Sequence, residues 1–301
     1  MTFNSGAGAV SASRPAWART SDFLALTKPR LTSLVLFTAL VGFCAGVRGS
    51  VPLLLLLHTL AGTALMAGGA SACNMYTERG IDARMRRTSL RPLPAGRLKS
   101  GPALSFALGI SAAGFVYLFA FVNRLTSLIA ALVFLGYLFL YTPLKTRTWL
   151  CTFAGAIPGA LPIVMGWAGA RGSLSLGAWV LFAIVFLWQF PHFYSIGWIY
   201  REDYARAKLP MLSVIDLSGQ RTGHQVAAFI ALCFFCTLLP ARLGLAGPAY
   251  LAGAVALGSA FLAFGIHFAR MRDRPSARRL FVASALYLPA VLVLMILDKL
   301  L

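Results

Sequence analysis

Acidic side chains are scarce in this sequence: its 301 residues include only eight Asp and Glu, and charged residues of both signs reach just 12%, about half the share of a typical soluble domain. A water-soluble globule is excluded, because the 59% of residues that are apolar could not all be hidden in one interior. Histidine is as sparse, at four, and the five cysteines (Cys44, Cys73, Cys151, Cys233 and Cys236) all fall in or beside apolar stretches. Cys233 and Cys236 form a CxxC, but with no second pair the spacing points to packing rather than a metal or redox centre. Residues 1–22 hold no apolar core of the signal-peptide kind, so they read as a mobile cytoplasmic head, with the first apolar run acting as an uncleaved insertion signal.

Long uncharged apolar sequence is abundant. Nine runs, at 31–47, 51–75, 103–122, 125–141, 149–170, 177–199, 224–240, 246–267 and 280–297, approach or exceed the roughly 20 residues that cross a bilayer as helix. The expected fold class is therefore all-α, a polytopic integral membrane bundle of nine transmembrane helices. A flexible head is expected over 1–25 and a single transmembrane domain over 26–301. Short connections such as Arg48-Gly49-Ser50 and Asn123-Arg124 make antiparallel hairpins of their neighbours. Of the 27 Lys and Arg, only Arg48, Arg124, Arg171, Arg242 and Lys299 fall on one side of such a bundle. The other side is cytoplasmic by the positive-inside rule, which puts the N-terminus in the cytoplasm. The net charge of +19 then reflects this bias and attraction to anionic membrane lipids. No nucleic-acid motif accompanies it.

The placement of the eight acids carries the functional signal. Asp22, Asp273 and Asp298 are scattered near span ends, whereas Glu78 and Asp82 follow span two and Glu202, Asp203 and Asp216 follow span six. Ionisable groups near hydrocarbon are costly and default to a functional role, so two groups on one side suggest half-sites of a shared cavity. Asn74, Glu78 and Asp82 recur every four residues. On a helix continued past the membrane surface they stack on one face and offer oxygens suited to Mg²⁺, a cation often shared with substrate phosphates. The bland alternative is that both acid groups balance nearby arginines at the headgroup level. Arg84, Arg86, Arg87, Arg91, Arg97 and Lys99 come next and suit phosphate oxygens, or serve only the positive-inside bias. Lys145 and Arg147 are the sole charges of their turn, beside Tyr141 and Pro143. The stretch from Ala154 to Pro162 is too rich in Gly and Pro for a plain lipid-facing helix; it borders a cavity or allows tight packing.

The strings NMYTERGIDARMRRTSLRPLPAGRL (74–98), YTPLKTRTWL (141–150), GAIPGALP (155–162) and PHFYSIGWIYREDYARAKLPMLSV (191–214), with the leader Leu26-Thr-Lys-Pro-Arg30, together resemble the protohaem IX farnesyltransferase (haem O synthase) family of the UbiA-type intramembrane prenyltransferases. The resemblance runs from about residue 26 to 214, leaving the last three spans without a distinctive string. It implies nine transmembrane helices around a central cavity, Mg²⁺ as cofactor, and farnesyl diphosphate and haem B as substrates. On the matching positions it implies metal and diphosphate roles for Asn74, Glu78 and Asp82, and a second motif at Asp203 with Glu202 beside it. Arg87, Arg91, Lys145 and Arg147 become diphosphate partners. Three departures stand out: Gly80 lies where the family often has Asp, Cys151 where Asn is common, and Ile199 and Ala207 flank Asp203 where the wider superfamily often has a second Asp. They point to a leaner metal set or one completed by water.

The implied reaction joins farnesyl to a haem vinyl group with addition of water, giving haem O and diphosphate on the route to haem A, in the cytoplasmic membrane. Haem A synthase or a terminal oxidase are the implied protein partners. Tyr141 or Tyr200 could face an allylic cation, or be interface aromatics. His192, inside span six and about two turns before the second acid group, is the best candidate to touch haem or its iron, against a packed, hydrogen-bonded histidine. The alternatives are prenyl transfer to a quinone precursor or other aromatic acceptor, a transporter whose acids are cation sites, and a non-enzymatic oxidase assembly factor.

Overall fold

The computed structural model describes residues 16–300. Its helices are α1 (Ala16–Leu26), α2 (Pro29–Gly46), α3 (Leu53–Asp82), α4 (Ser100–Phe121), α5 (Arg124–Leu135), α6 (Thr142–Leu144), α7 (Cys151–Arg171), α8 (Leu176–Ile199), α9 (Arg201–Arg206), α10 (Leu212–Ile215), α11 (Gln220–Arg242), α12 (Pro248–Met271) and α13 (Arg274–Leu300). A π-helical turn, Gly136–Tyr141, joins α5 to α6. Among the described residues nine helical segments are long and apolar enough to cross a membrane, the fourth running from Arg124 through the π turn to Leu144. They coincide with the nine runs expected from sequence. Helices dominate because hydrocarbon offers no partner to backbone N–H and C=O groups, which must therefore be satisfied within the segment.

The flexible head expected over 1–25 is described only from residue 16 onward, and there it is helix. Asp22 of α1 is buried and accepts from Arg97 Nε at 2.9 Å, and Phe23 packs edge-on against Phe106 of α4. That ion pair ties α1 to the connection between α3 and α4.

Packing rests on small residues, as expected where lipid provides no hydrophobic drive between helices. A Cβ on Gly42 of α2 would overlap the Ile163 carbonyl of α7, and one on Gly166 of α7 would overlap the Ala39 carbonyl of α2. The backbones of these two helices therefore touch. On the side carrying few cations, the last carbonyls of α2 are taken up by two basic side chains. Lys299 Nζ donates to the carbonyls of Cys44, Ala45 and Val47 at 2.8–3.2 Å, and Arg171 Nε donates to that of Gly46 at 2.6 Å. These contacts satisfy the orphan acceptors of a helix end and tie the first span to the last.

Four of the acids serve the fold. Besides Asp22, Asp273 Oδ1 accepts from the Ser276 amide at 2.8 Å to cap α13, and Asp298 accepts from the amides of Gly247 and Tyr250 at the start of α12. Asp216, grouped with Glu202 and Asp203 by sequence position, belongs here as well. Its carboxylate accepts from the Thr222 amide and hydroxyl, both at 2.8 Å, and from the Ser218 hydroxyl at 3.1 Å, closing the turn into α11.

Asp216→Ala is expected to cost about 1 kcal/mol, as for loss of a helix-capping side chain, read as a lower thermal midpoint in detergent at neutral pH. Burial favours the protonated form of Asp216, but the bonds from Thr222 and Ser218 outweigh it and hold the carboxyl below its ordinary value. The stabilisation is therefore complete above the ordinary carboxylate range and lost as pH falls through the lowered value, so the gap between variant and wild type should close in acid.

Candidate active site

Because α3 continues as helix to Asp82, Asn74, Glu78 and Asp82 share one face and are all buried, at 1%, 3% and 1% exposure. Gly80 is exposed, with open space at its Cβ position, so an acid there would point away from the column. Each acid meets a cation from elsewhere in the chain. Lys145 Nζ donates to Glu78 Oε2 at 2.8 Å, and Arg91 Nη1 donates to Asp82 Oδ2 at 2.7 Å. Lys28 Nζ donates to Asn74 Oδ1 at 2.7 Å; the same oxygen accepts from the Tyr137 hydroxyl at 3.2 Å, and Asn74 Nδ2 donates to Thr142 Oγ1 at 3.2 Å.

The second oxygens of the acids, Glu78 Oε1 and Asp82 Oδ1, are buried with no hydrogen-bond partner. A buried orphan on a charged group is costly. Two such oxygens beside an amide oxygen make a donor set that fits a hard divalent cation such as Mg²⁺. Among the described residues no three His, Cys, Asp or Glu side chains close into a metal cage.

Lys28 is the member that reading by acid motifs missed; its string entered only through the leader Leu26-Thr-Lys-Pro-Arg30. It sits between α1 and α2 in the left-handed region, at φ 48°, an unfavourable conformation for a residue with a Cβ. Two threonines hold the turn: Thr27 Oγ1 donates to the Leu24 carbonyl at 2.8 Å and Thr32 Oγ1 to the Thr27 carbonyl at 2.7 Å. Burial, partly opposed by Glu78, lowers the Lys28 ammonium to about 8. For Lys145 burial also favours the neutral amine, but Glu78 in direct contact outweighs it and holds the ammonium above its ordinary value. Tyr137 is a second omission. In the π turn it stacks on Tyr141, with ring centroids 5.4 Å apart and planes 7° apart; such turns recur at functional sites.

The second acid group lies at the same end of the bundle. Asp203 on α9 is buried and paired with Arg206, while Glu202 is exposed. Ile81, next to Asp82, packs against the apolar cluster of Met85, Tyr204, Ala207 and Leu209 that contains the neighbour of Asp203. Arg87 Nη2 donates to the Tyr204 hydroxyl at 3.0 Å, with its guanidinium 5.3 Å from the Tyr200 ring centre. Asp203, Glu202 and Arg87 line a separate hollow of about 680 Å³. The five oxygen-bearing residues Asn74, Glu78, Asp82, Glu202 and Asp203 thus form two neighbouring groups. Arg147 is exposed in its turn and joins neither.

An apolar cavity of about 310 Å³ lies among α2, the π turn, α7 and α8, lined by Leu34, Tyr137, Tyr141, Pro158, Trp188 and His192. Gly155, Gly159 and Pro162 of α7 also border it, so the Gly/Pro-rich stretch lines a cavity, and the tight contact with α2 at Ile163 and Gly166 follows just after it. Tyr200 does not line it. As the residue that ends α8, Tyr200 turns outward under Arg87, whereas Tyr141 faces the cavity. His192 Nδ1 lies 2.8 Å from Ser284 Oγ, and that hydroxyl donates its one proton to the Phe281 carbonyl at 2.7 Å. His192 must then be the donor through Nδ1–H, which leaves Nε2 with a free lone pair. Trp188 stacks on its ring at 4.7 Å.

Comparison with known proteins bears on what such a site does. Residues 35–288 match the UbiA prenyltransferase family. A protohaem IX farnesyltransferase of Solibacter usitatus is 47% identical over 287 residues, covering 92% of this chain and 98% of that protein. One of Koribacter versatilis is 41% identical over 288 residues, covering 92% and 93%. Among solved structures, one described as digeranylgeranylglyceryl phosphate synthase in membranes superposes with a TM-score of 0.79 at 16% identity, covering 94% of this chain and 99% of that one. A UbiA homologue of Archaeoglobus fulgidus, solved with GPP and Mg²⁺, gives 0.65 at 16% identity, covering 91% and 99%. With nine apolar helices, a buried acid and lysine cluster at the end of a greasy cavity, and relatives matched over nearly their whole length, this chain is an integral membrane protein that belongs to the UbiA prenyltransferase family.

Proposed function

We propose that this protein transfers a farnesyl group from farnesyl diphosphate to a vinyl group of protohaem IX (haem B), with water adding to give haem O and inorganic diphosphate. The observation that carries the reading is the pair of unpartnered, buried carboxylate oxygens on Glu78 and Asp82, ringed by Lys28, Arg91 and Lys145 near an apolar cavity. The names of the relatives supply the prenyl group and its acceptor. The asymmetry of Lys and Arg supports a protein of the cytoplasmic membrane with its N-terminus inside.

In this reading the leaving diphosphate lies against Lys28, Lys145 and Arg91, with Arg87 on the flank of the second acid group. These cations favour the charge that builds on the leaving oxygens as the allylic C–O bond breaks. A magnesium ion, when bound, adds Lewis-acid charge at the same oxygens, with Asn74, Glu78 and Asp82 its holders on one side and Asp203 and Glu202 candidates on the other. Tyr137 and Tyr141 line the cavity and are the aromatic rings available to an allylic cation that forms there. The apolar walls limit its capture by water before the acceptor is reached. His192 offers the lone pair of Nε2 to the haem iron, with Ser284 fixing the tautomer through Nδ1–H.

Purified protein in detergent, supplied with Mg²⁺, farnesyl diphosphate and haem B, should yield a haem heavier by a farnesyl and a hydroxyl group when the pigments are weighed by mass spectrometry. Unchanged haem alongside prenylation of a small aromatic acid would refute the acceptor. Asp82→Asn and Asp203→Asn should each lower turnover by about a hundredfold or more, the scale of losing one preorganised electrostatic contact, with the protein still folded.

Lys28→Met tests the newly found member separately. A charged hydrogen bond of this kind contributes about 1.5–3 kcal/mol, so kcat/KM for farnesyl diphosphate should fall by roughly ten- to a hundredfold while haem binding, followed by absorbance, is unchanged.

A further inference from the structure

The hollow beside Asp203 gathers six guanidinium groups from three separate stretches of chain: Arg86 and Arg87 after α3, Arg201 and Arg206 on α9, and Arg272 and Arg274 at the junction of α12 with α13. A basic membrane face ordinarily spreads its cations over convex surface, but here they converge on a concave opening. The acids within it do not neutralise them. Asp203 is taken by Arg206, Asp273 caps α13, and Glu202 is a single exposed carboxylate. Among the described residues no carboxylate lies within ion-pairing distance of Arg86, Arg201, Arg272 or Arg274. Aromatic groups hold two of the forks in place: the Arg201 guanidinium lies 4.6 Å from the Trp198 ring centre, and Arg87 is bonded to Tyr204. Arg272 ends α12 in the left-handed region at φ 51°, its amide donating to the Phe268 carbonyl, a common helix ending.

The hollow lies along a track from the cavity. His192, Ile196 and Tyr200 are spaced by four on α8 and share one face; the first two line the cavity and the third lines the hollow. On α13 the residues that meet His192 are Ser284 and Phe281, and the first residue of the same helix is Arg274. Eight residues of helix separate the level of His192 from that of Tyr200, about 12 Å, a span bridged by half a tetrapyrrole together with an arginine side chain. A planar, greasy molecule with two carboxylates on one edge fits this layout. Its macrocycle would lie by His192 and its carboxylates among the arginine forks, each of which can donate two parallel bonds to a carboxylate.

We infer that the Arg86, Arg201, Arg272 and Arg274 side of this hollow binds the paired carboxylates of the acceptor, the propionates of protohaem, leaving Arg87, Glu202 and Asp203 to the diphosphate site. The inference rests on the haem-farnesylation reading and assigns it a second anion site. It makes Arg272 and Arg274 acceptor-binding residues from a region of the chain where no distinctive motif is legible.

The test uses full-length protein in a neutral detergent, farnesyl diphosphate with Mg²⁺, and two acceptors: haem B and its dimethyl ester, in which both propionates are blocked. The double variant Arg272→Gln, Arg274→Gln should raise KM for haem B about tenfold or more, the scale of losing charged hydrogen bonds, with KM for farnesyl diphosphate and kcat unchanged. With the dimethyl ester, wild type and variant should coincide. A measurement needing no variant gives the same answer: an absorbance titration of the wild type should show the ester binding about tenfold more weakly than haem B. Equal binding of haem B and ester by the wild type would overturn the inference. So would an unchanged KM for haem B in the variant, or a rise in KM for farnesyl diphosphate, which would assign Arg272 and Arg274 to the diphosphate instead. If the wild type prenylates neither porphyrin, the functional reading itself fails and takes this inference with it, a result distinct from turnover that ignores the propionates.

Discussion

Two carboxylates held out of water at one end of a membrane bundle are the constraint around which this protein is organised. An uncompensated charge in that position would be strongly destabilising, so Glu78 and Asp82 require cations, and the chain brings them from three different places. Lys145 comes from the turn after the π helix, Arg91 from the segment after α3, and Lys28 from the left-handed turn between α1 and α2. Each supplier is itself held: Lys28 by two threonine hydroxyls, Lys145 by the turn that follows Thr142, and Arg91 by a segment that loops back on Asp82, where the Thr88 hydroxyl donates to the Asp82 carbonyl. The compensation remains incomplete by one oxygen on each acid, and that deficit is where a cation and its phosphate fit.

The same scarcity of negative charge divides labour among the acids. Four close turns, cap helices or pair across connections; three are buried against cations near the cavity, and Glu202 stands in the open. The arginines divide similarly. Arg91 answers an acid, Arg87 leans on tyrosines, and Arg171 spends its donor on the end of a helix at the far surface. In a chain with so few carboxylates, an arginine without a partner in a concave place is informative, whereas one on a convex inner surface follows from membrane topology alone.

How far the site was legible depended on whether neighbours in sequence were neighbours in space. The column of Asn74, Glu78 and Asp82 could be read directly, because a spacing of four on one helix fixes a shared face. Lys145 stood out as an isolated cation in an apolar turn. Lys28 and Tyr137 carried no comparable local pattern, since their meaning comes from contacts with Asn74 at sequence separations of 46 and 63. Asp216 misled for the opposite reason: it is close in sequence to Glu202 and Asp203, yet the intervening α10 and the turn into α11 make it a cap. Tyr200 and Tyr141 looked equivalent as aromatics beside charges, and only the end of α8 separated the one at the hollow from the one in the cavity.

The sequence by itself determined which nine runs are long and apolar enough to cross a membrane, which surface collects the cations and which helix carries the first acid column. These properties follow from hydrophobic length, charge asymmetry and helical periodicity, all of which act within a short stretch of chain. Only the tertiary structure decided which cation meets which acid, which oxygens remain unpartnered and which arginines face a common hollow. Those outcomes depend on how separate helices pack, and in a membrane that packing is set by close backbone contact at residues such as Gly42 and Gly166 rather than by any pattern readable along one helix.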